Sequence, residues 1–178
     1  MRPEDILSFW FVEHGPDDWF SKNDAFDALI RERFGAHHAF IVRGESVAWR
    51  QTADGRLAEI IVLDQFSRNM FRGMPEAFAY DELALSRARE AVAVGADKEV
   101  DPVRRHFFYM PYMHSESLAA HEEALPLFEA LGNESALRYE RLHKEQIERF
   151  GRYPHRNAVL GRESTPEELA FLEATPGF

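Results

Sequence analysis

Apolar residues along this chain recur mainly three and four positions apart, the spacing that places them on one face of an α-helix. Clear examples are Phe26, Leu29, Ile30 and Phe34, and further on Leu118, His121, Leu125 and Phe128. The alternating pattern of a β-strand is nearly absent. The periodicity predicts helices over residues 3–11, 24–42, 56–69, 75–94, 102–110, 116–131, 135–150 and 166–173.

Capping residues support several of these helix boundaries. Thr165 is followed by Pro166 and then by Glu168, which is the pattern of a capping box with proline in the first helical position. Residues 101–102, Asp-Pro, repeat the cap followed by a proline. Turn residues leave only short connections between helices, and short connections favour antiparallel helix pairs. We therefore expect an all-α fold.

The composition indicates one globular domain over residues 1–178. The chain is 45% hydrophobic and 29% charged, and its 178 residues are enough to bury a full core. Lys and Arg number 21 against 31 Asp and Glu, and this net charge of −10 argues against binding to nucleic acid. No stretch approaches the roughly 20 apolar residues of a membrane span. We expect a cytoplasmic protein without membrane or nucleic-acid partners.

A first polar segment, residues 64–72, directly follows the strongly apolar residues 57–63. On a helical wheel its polar side chains fall in one arc about 140° wide. They are Asp64, Gln65, Arg68, Asn69 and Arg72. This pattern predicts a helix that passes from the core into the wall of a cavity or groove.

Within this segment, Asp64 and Arg68 are four residues apart with the acid first, the order that favours an ion pair along a helix. Such a pair would leave Arg72 freer to meet a ligand. Alternatively, the pair ties its helix to a neighbouring helix and no ligand is involved.

A second polar segment, residues 149–162, contains four arginines and a histidine but no acid. Within an acidic chain such a segment predicts an anion site, because arginine binds carboxylate or phosphate groups in bidentate fashion. Pro154 is expected to fix a loop that carries His155, Arg156 and Asn157 on irregular backbone. Alternatively, this loop packs back on the protein and its arginines pair with the excess acids.

Other candidate chemistry is weaker. Residues 107–114 are rich in aromatic and methionine side chains, which is typical of a core. His114 and His121 have glutamates nearby, but no His-Glu-x-x-His pattern is present. The chain has no cysteine, no Gly-x-Ser-x-Gly motif and no glycine-rich phosphate loop. We expect neither a metal ion nor a cofactor.

Several runs of the sequence resemble one bacterial family, domain of unknown function 924. They are residues 63–73 (LDQFSRNMFRG), 77–81 (AFAYD), 108–111 (FYMP), 114–116 (HSE), 149–157 (RFGRYPHRN) and 160–162 (LGR). The resemblance implies a tetratricopeptide-like array of antiparallel helix pairs, an α-α superhelix, and it brings no established catalytic residues. Ser67 and Tyr153 stand where the family pattern would have proline and phenylalanine, and neither change touches a charged group.

These features predict a groove in which the two polar segments face each other. The predicted ligand-binding residues are Asp64, Arg68, Asn69, Arg72, His114, His155, Arg156, Asn157 and Arg162. The leading hypothesis is a binding module for an anionic small molecule or an acidic peptide. The alternative is a small-molecule enzyme with His155 or His114 as acid-base and an arginine clamp for the anion. A third possibility is a purely structural helical scaffold with internal ion pairs.

Overall fold

The computed structural model describes residues 2–175, and every regular element in this part of the chain is helical. The ends of the predicted domain, residue 1 and residues 176–178, lie outside the described residues. The α-helices are α1 (Pro3–Ser8), α2 (Pro16–Trp19), α3 (Asp24–Val42), α4 (Ala53–Ile61), α5 (Ser67–Met70), α6 (Asp81–Ala93), α7 (Pro102–Met113), α8 (Leu118–Leu131), α9 (Glu134–Phe150) and α10 (Pro166–Ala174). The all-α prediction is confirmed, whereas a tetratricopeptide-like arrangement stays a prediction.

Short π and 3₁₀ turns extend these α-helices or connect them. A π turn at Phe9–Glu13 continues α1, and a second at Val62–Phe66 joins α4 to α5 without a break. The 3₁₀ turns are Val47–Gln51, Pro75–Ala77, Ala96–Glu99 and Pro154–Arg156. The second π turn matters most here, because it carries part of the first polar segment and such turns recur at functional sites.

Side-chain caps explain where the long helices begin. Asn23 accepts hydrogen bonds from two backbone N–H groups at the start of α3, and Asp101 does the same for α7. Thr165 and Glu168 form the predicted capping box at α10, with both of its hydrogen bonds present. The caps predicted from the sequence at residues 101 and 165 are thus confirmed.

The predicted helix over residues 75–94 is interrupted. Pro75–Ala77 forms a 3₁₀ turn, the chain turns again over residues 78–80, and α6 begins only at Asp81. Phe78 and Asp81 are the two ends of this turn, with the Asp81 N–H donating to the Phe78 carbonyl oxygen at 3.2 Å, and both belong to the site described below.

The predicted helix over residues 102–110 is too short, because α7 continues through Pro111 to Met113. A proline inside a helix removes a backbone hydrogen bond and costs about 3 kcal/mol or more. Every residue from 107 to 113 is buried, so packing against α6 and α8 offsets that cost.

The hydrophobic core is formed by helices from both halves of the chain. The first part packs α1 on α4 and α3 on α5, and the second packs α6, α7, α8 and α9 in sequence order. Trp10 is fully buried, with its ring 5.8 Å from Trp19 and 5.5 Å from Phe66. Within residues 2–175, no helix has both the length and the apolar character needed to cross a bilayer.

Gly55, in the first turn of α4, lies against the backbone of Trp49. A Cβ atom at residue 55 would lie 1.9 Å from the Trp49 carbonyl oxygen, so a larger side chain must push the two segments apart. We expect Gly55→Ala to lower the free energy of unfolding by about 2–3 kcal/mol in urea denaturation.

Gly35→Ala is the matched control, because a Cβ atom at this position within α3 meets nothing within 4 Å. It should raise the free energy of unfolding by up to ~1 kcal/mol through helix propensity. Similar effects of the two substitutions would contradict the close approach at Gly55.

Candidate functional site

A pocket of about 350 Å³, hereafter the arginine pocket, is bounded by the ends of α5 and α7, by α9 and by the Pro154–Arg156 turn. Three arginines and three histidines line it: Arg68, Arg72, Arg156, His114, His143 and His155. Its apolar wall includes Ala77, Phe78 and Tyr139. Among the described residues, no Asp or Glu side chain forms part of this lining.

Asp81, the first residue of α6, binds two of these arginines from behind the pocket. Arg68 donates from Nη1 and Nη2 to its two carboxylate oxygens, both at 2.9 Å. Arg156 donates from Nη1 to Oδ2 at 2.9 Å and from Nη2 to the carbonyl oxygen of His114 at 2.8 Å. The side chains of Asp81 and Arg156 are only 11% and 7% exposed, so loss of either partner leaves a buried charge without compensation.

Asp64 lies in the π turn before α5 and binds His114. Its Oδ1 accepts a hydrogen bond from Nδ1 of His114 at 2.7 Å and lies 3.1 Å from Nη1 of Arg68. Burial acts to raise the pKa of Asp64, but His114 and Arg68 outweigh it and hold that pKa well below its usual range. Burial, aided by Arg68, lowers the pKa of His114. At neutral pH the pair is therefore a carboxylate and a neutral imidazole.

This hydrogen bond also assigns the proton of His114. An ionised carboxylate only accepts hydrogen bonds, so Nδ1 carries the hydrogen and Nε2 keeps a lone pair. The imidazole lines the arginine pocket next to Arg68 and Arg156. A carboxylate-oriented histidine of this kind can accept a proton from a bound molecule.

A second acid, Asp27 of α3, binds the other end of the first polar segment. Arg72 donates from Nη2 to Asp27 Oδ1 at 2.8 Å and from Nε to Oδ2, and Asn69 donates from Nδ2 to Oδ1 at 2.7 Å. The Arg72 side chain is 35% exposed and lines the pocket, whereas Asn69 is buried and does not. Arg72, expected from the sequence to be freer to meet a ligand, thus also has an acidic partner.

Asn157 and Arg162 lie outside the arginine pocket. Asn157 is fully buried and donates to Ser164 Oγ at 3.0 Å. Arg162 forms a bidentate pair with Glu116 at 2.7 and 2.9 Å. The predicted residues that do line the pocket are Arg68, Arg72, His114, His155 and Arg156.

The Pro154–Arg156 segment is a 3₁₀ turn and not the irregular loop expected from the sequence. Gly151, with φ +68°, ends α9 and directs the chain into this turn. Burial, aided by Arg156, lowers the pKa of His155 to about 4. Burial likewise lowers the pKa of His143 to about 3. Both imidazoles are neutral at neutral pH, so the positive charge of the pocket comes from its arginines.

Tyr153 and His121 fix the chain on both sides of His114. The Tyr153 hydroxyl donates to the carbonyl oxygen of Met113 at 2.5 Å, and His121 Nε2 donates to that of Ser115 at 3.0 Å. His121 and Tyr153 are fully buried. The Tyr153 hydroxyl thus contacts the segment that carries His114.

Sequence reasoning missed the two acids that bind the pocket's arginines and five of the ten lining residues, among them Tyr139 and His143. Asp27 lies among core residues of α3, and a buried carboxylate requires a partner, which is a usable signal. Tyr139 and His143 are four residues apart on α9 and therefore share a face. Asp81 ends one of the family-like runs, residues 77–81, but the predicted helix over residues 75–94 hid its position at the start of α6. Within residues 2–175, no three His, Asp or Glu side chains are grouped to hold a metal ion.

We expect Asp81→Asn to lower the free energy of unfolding by about 3–5 kcal/mol in urea denaturation, because it removes the charge that Arg68 and Arg156 share. Glu123→Gln is the matched control. Glu123 also binds an arginine, Arg89, in bidentate fashion, but its side chain is 47% exposed, so the cost should stay below about 1 kcal/mol. A loss at Asp81 as small as that at Glu123 would contradict the proposed role of the buried network.

Comparison with known proteins places the chain in a family. The sequence model of bacterial proteins of unknown function called DUF924 matches residues 6–176. A solved structure of a protein of unknown function from Agrobacterium tumefaciens is similar, with a TM-score of 0.93, 43% sequence identity and 97% of each chain covered. No curated protein matches. The family resemblance of the sequence motifs is thereby confirmed, and the chain belongs to the DUF924 family of bacterial proteins of unknown function.

Proposed function

We propose that this protein binds a small molecule with a carboxylate or phosphate group in the arginine pocket. The observation that carries the proposal is the arrangement of charged side chains at this site, with arginines at the pocket surface and acids bound to them. Arg68, Arg72 and Arg156 line the pocket, whereas Asp27 and Asp81 bind them from behind. The acids hold the guanidinium groups in fixed orientations, and pre-oriented donors lose little conformational entropy when an anion binds.

The size of the pocket favours a small molecule over an acidic peptide. Its volume of about 350 Å³ lies within the range of small-molecule pockets, roughly 300–1,000 Å³. A peptide needs an extended groove or sheet edge along which several side chains can bind. A tetratricopeptide-like superhelix would supply such a concave face, and the peptide alternative depends on that arrangement.

The purely structural alternative also has support, because Arg68, Arg72 and Arg156 each have an acidic partner. A test must therefore separate binding from stability. Arg156 is a poor choice, since its buried ion pair makes its removal costly under either hypothesis. Arg72 is the better probe, because its side chain is 35% exposed and Asn69 still binds Asp27 after it is removed.

We expect isothermal titration calorimetry to detect binding of at least one of inorganic phosphate, glycerol phosphate, succinate and citrate. Arg72→Gln should raise the dissociation constant of that anion by about 10- to 100-fold, the effect of losing one charge-assisted contact. Arg89→Gln, which removes an exposed arginine outside the pocket, should leave it unchanged. Absence of binding by all four anions, or equal effects of the two substitutions, would contradict the proposal.

A second candidate function is acid-base catalysis on the bound anion. It is favoured by the 2.7 Å hydrogen bond between Asp64 and His114, which leaves Nε2 of an oriented, neutral imidazole with a lone pair. His114 fits this role better than His155. Nδ1 of His155 is buried without a hydrogen-bond partner among the described residues, so no carboxylate orients that ring.

If His114 is a general base, the protein should convert a bound anion, or exchange one of its protons with D₂O, in a reaction followed by NMR. His114→Gln should slow this by about 100-fold or more, with anion binding nearly unchanged, because general-base catalysis contributes roughly 10²–10⁴. His155→Gln is the control and should have a much smaller effect on the rate. If every bound anion stays unchanged in the wild-type protein, catalysis is rejected and binding remains.

A further inference from the structure

A second pocket, of about 480 Å³, lies directly beside the arginine pocket. His114, Tyr139 and His143 line both pockets, so these three side chains form their common wall. The rings of His114 and His143 are 6.5 Å apart. The two pockets are therefore adjacent, separated by no more than these side chains.

The second pocket differs from the first in charge. Among the described residues, no Asp, Glu, Lys or Arg contributes to its lining. Its walls include Met110, Met113 and Ala136, which are buried, and Phe20, which is 63% exposed. Burial lowers the pKa of His106 in the same wall to about 4, so this imidazole is neutral at neutral pH. We call this second site the apolar pocket.

We infer that the natural ligand is an amphipathic anion whose carboxylate or phosphate lies in the arginine pocket and whose hydrocarbon body lies in the apolar pocket. This inference rests on the function proposed above, and it adds the class of ligand. Charge complementarity decides the orientation, because only the arginine pocket offers fixed positive charge.

The apolar pocket suits a hydrocarbon for two reasons. Methionine side chains are flexible and polarisable, so Met110 and Met113 can adapt to an unbranched chain or a ring. A hydrocarbon lying against Phe20 would also remove an exposed aromatic ring from water. Burial of apolar surface on both partners favours an elongated ligand over a small, fully polar anion.

The test compares straight-chain carboxylates from acetate to octanoate, and the matching alkyl phosphates, by isothermal titration calorimetry below their micellar concentrations. Within each series the dissociation constant should fall by up to about fourfold for each added methylene, until the apolar pocket is filled. The two series show whether a carboxylate or a phosphate is preferred. Octanamide, which keeps the chain but lacks the charge, should bind far more weakly than octanoate.

Two substitutions at one residue test where the hydrocarbon chain of the ligand binds. Ser135 is an exposed residue in the first turn of α9 that lines the apolar pocket, so it tolerates replacement. Ser135→Trp should fill the apolar pocket, so that longer hydrocarbon chains no longer lower the dissociation constant. Acetate and inorganic phosphate should bind as they do to the wild-type protein. Ser135→Ala, the matched small variant, should keep the full gain.

The outcomes separate this inference from the function on which it rests. If short anions bind but longer chains bring no gain, or if the gain persists in Ser135→Trp, the apolar pocket is not the site of the hydrocarbon body. If no carboxylate or phosphate binds the wild-type protein at any chain length, the proposed function fails as well.

Discussion

A carboxylate in the protein interior requires positive partners, and this constraint on Asp81 determines how the site is built. Arg68 precedes Asp81 by 13 residues and Arg156 follows it by 75, yet both donate to the same carboxylate. The turn that carries Arg156 is thereby fixed to the end of α5. Arg156 also binds the backbone of His114, so the end of α7 belongs to the same network. The network thus fixes α5, the end of α7 and the turn that carries Arg156 relative to one another around the pocket.

The same network also reduces the repulsion between the arginines that line the pocket. Guanidinium groups crowded around a cavity would repel one another, but Asp81 and Asp27 form ion pairs with them. The ion pairs still leave some donors unused, because each guanidinium has five N–H groups and the acids accept only some of their hydrogen bonds. Structural pairing and anion binding are compatible on these side chains.

The sequence predicts the helices better than it predicts which side chains pair with one another. Local signals suffice for α3, whose predicted and observed bounds coincide, and for the cap at Thr165. They fail at Pro111, because burial of a whole turn of α7 outweighs the local cost of proline. The wheel placed Arg68 and Asn69 in one arc, but their partners lie on different helices, Asp81 on α6 and Asp27 on α3. Which acid meets which arginine depends on helix packing that no local pattern contains.

The π turn at Val62–Phe66 determines the direction in which Arg68 points. This turn holds one residue more than an α-helical turn between α4, which is anchored in the core, and α5, which carries Arg68. If these residues adopted regular α geometry, the extra residue would rotate α5 by about 100° about its axis. Arg68 would then point away from Asp81, although every side chain of the network was still present. The backbone geometry of this segment thus sets the phase of α5.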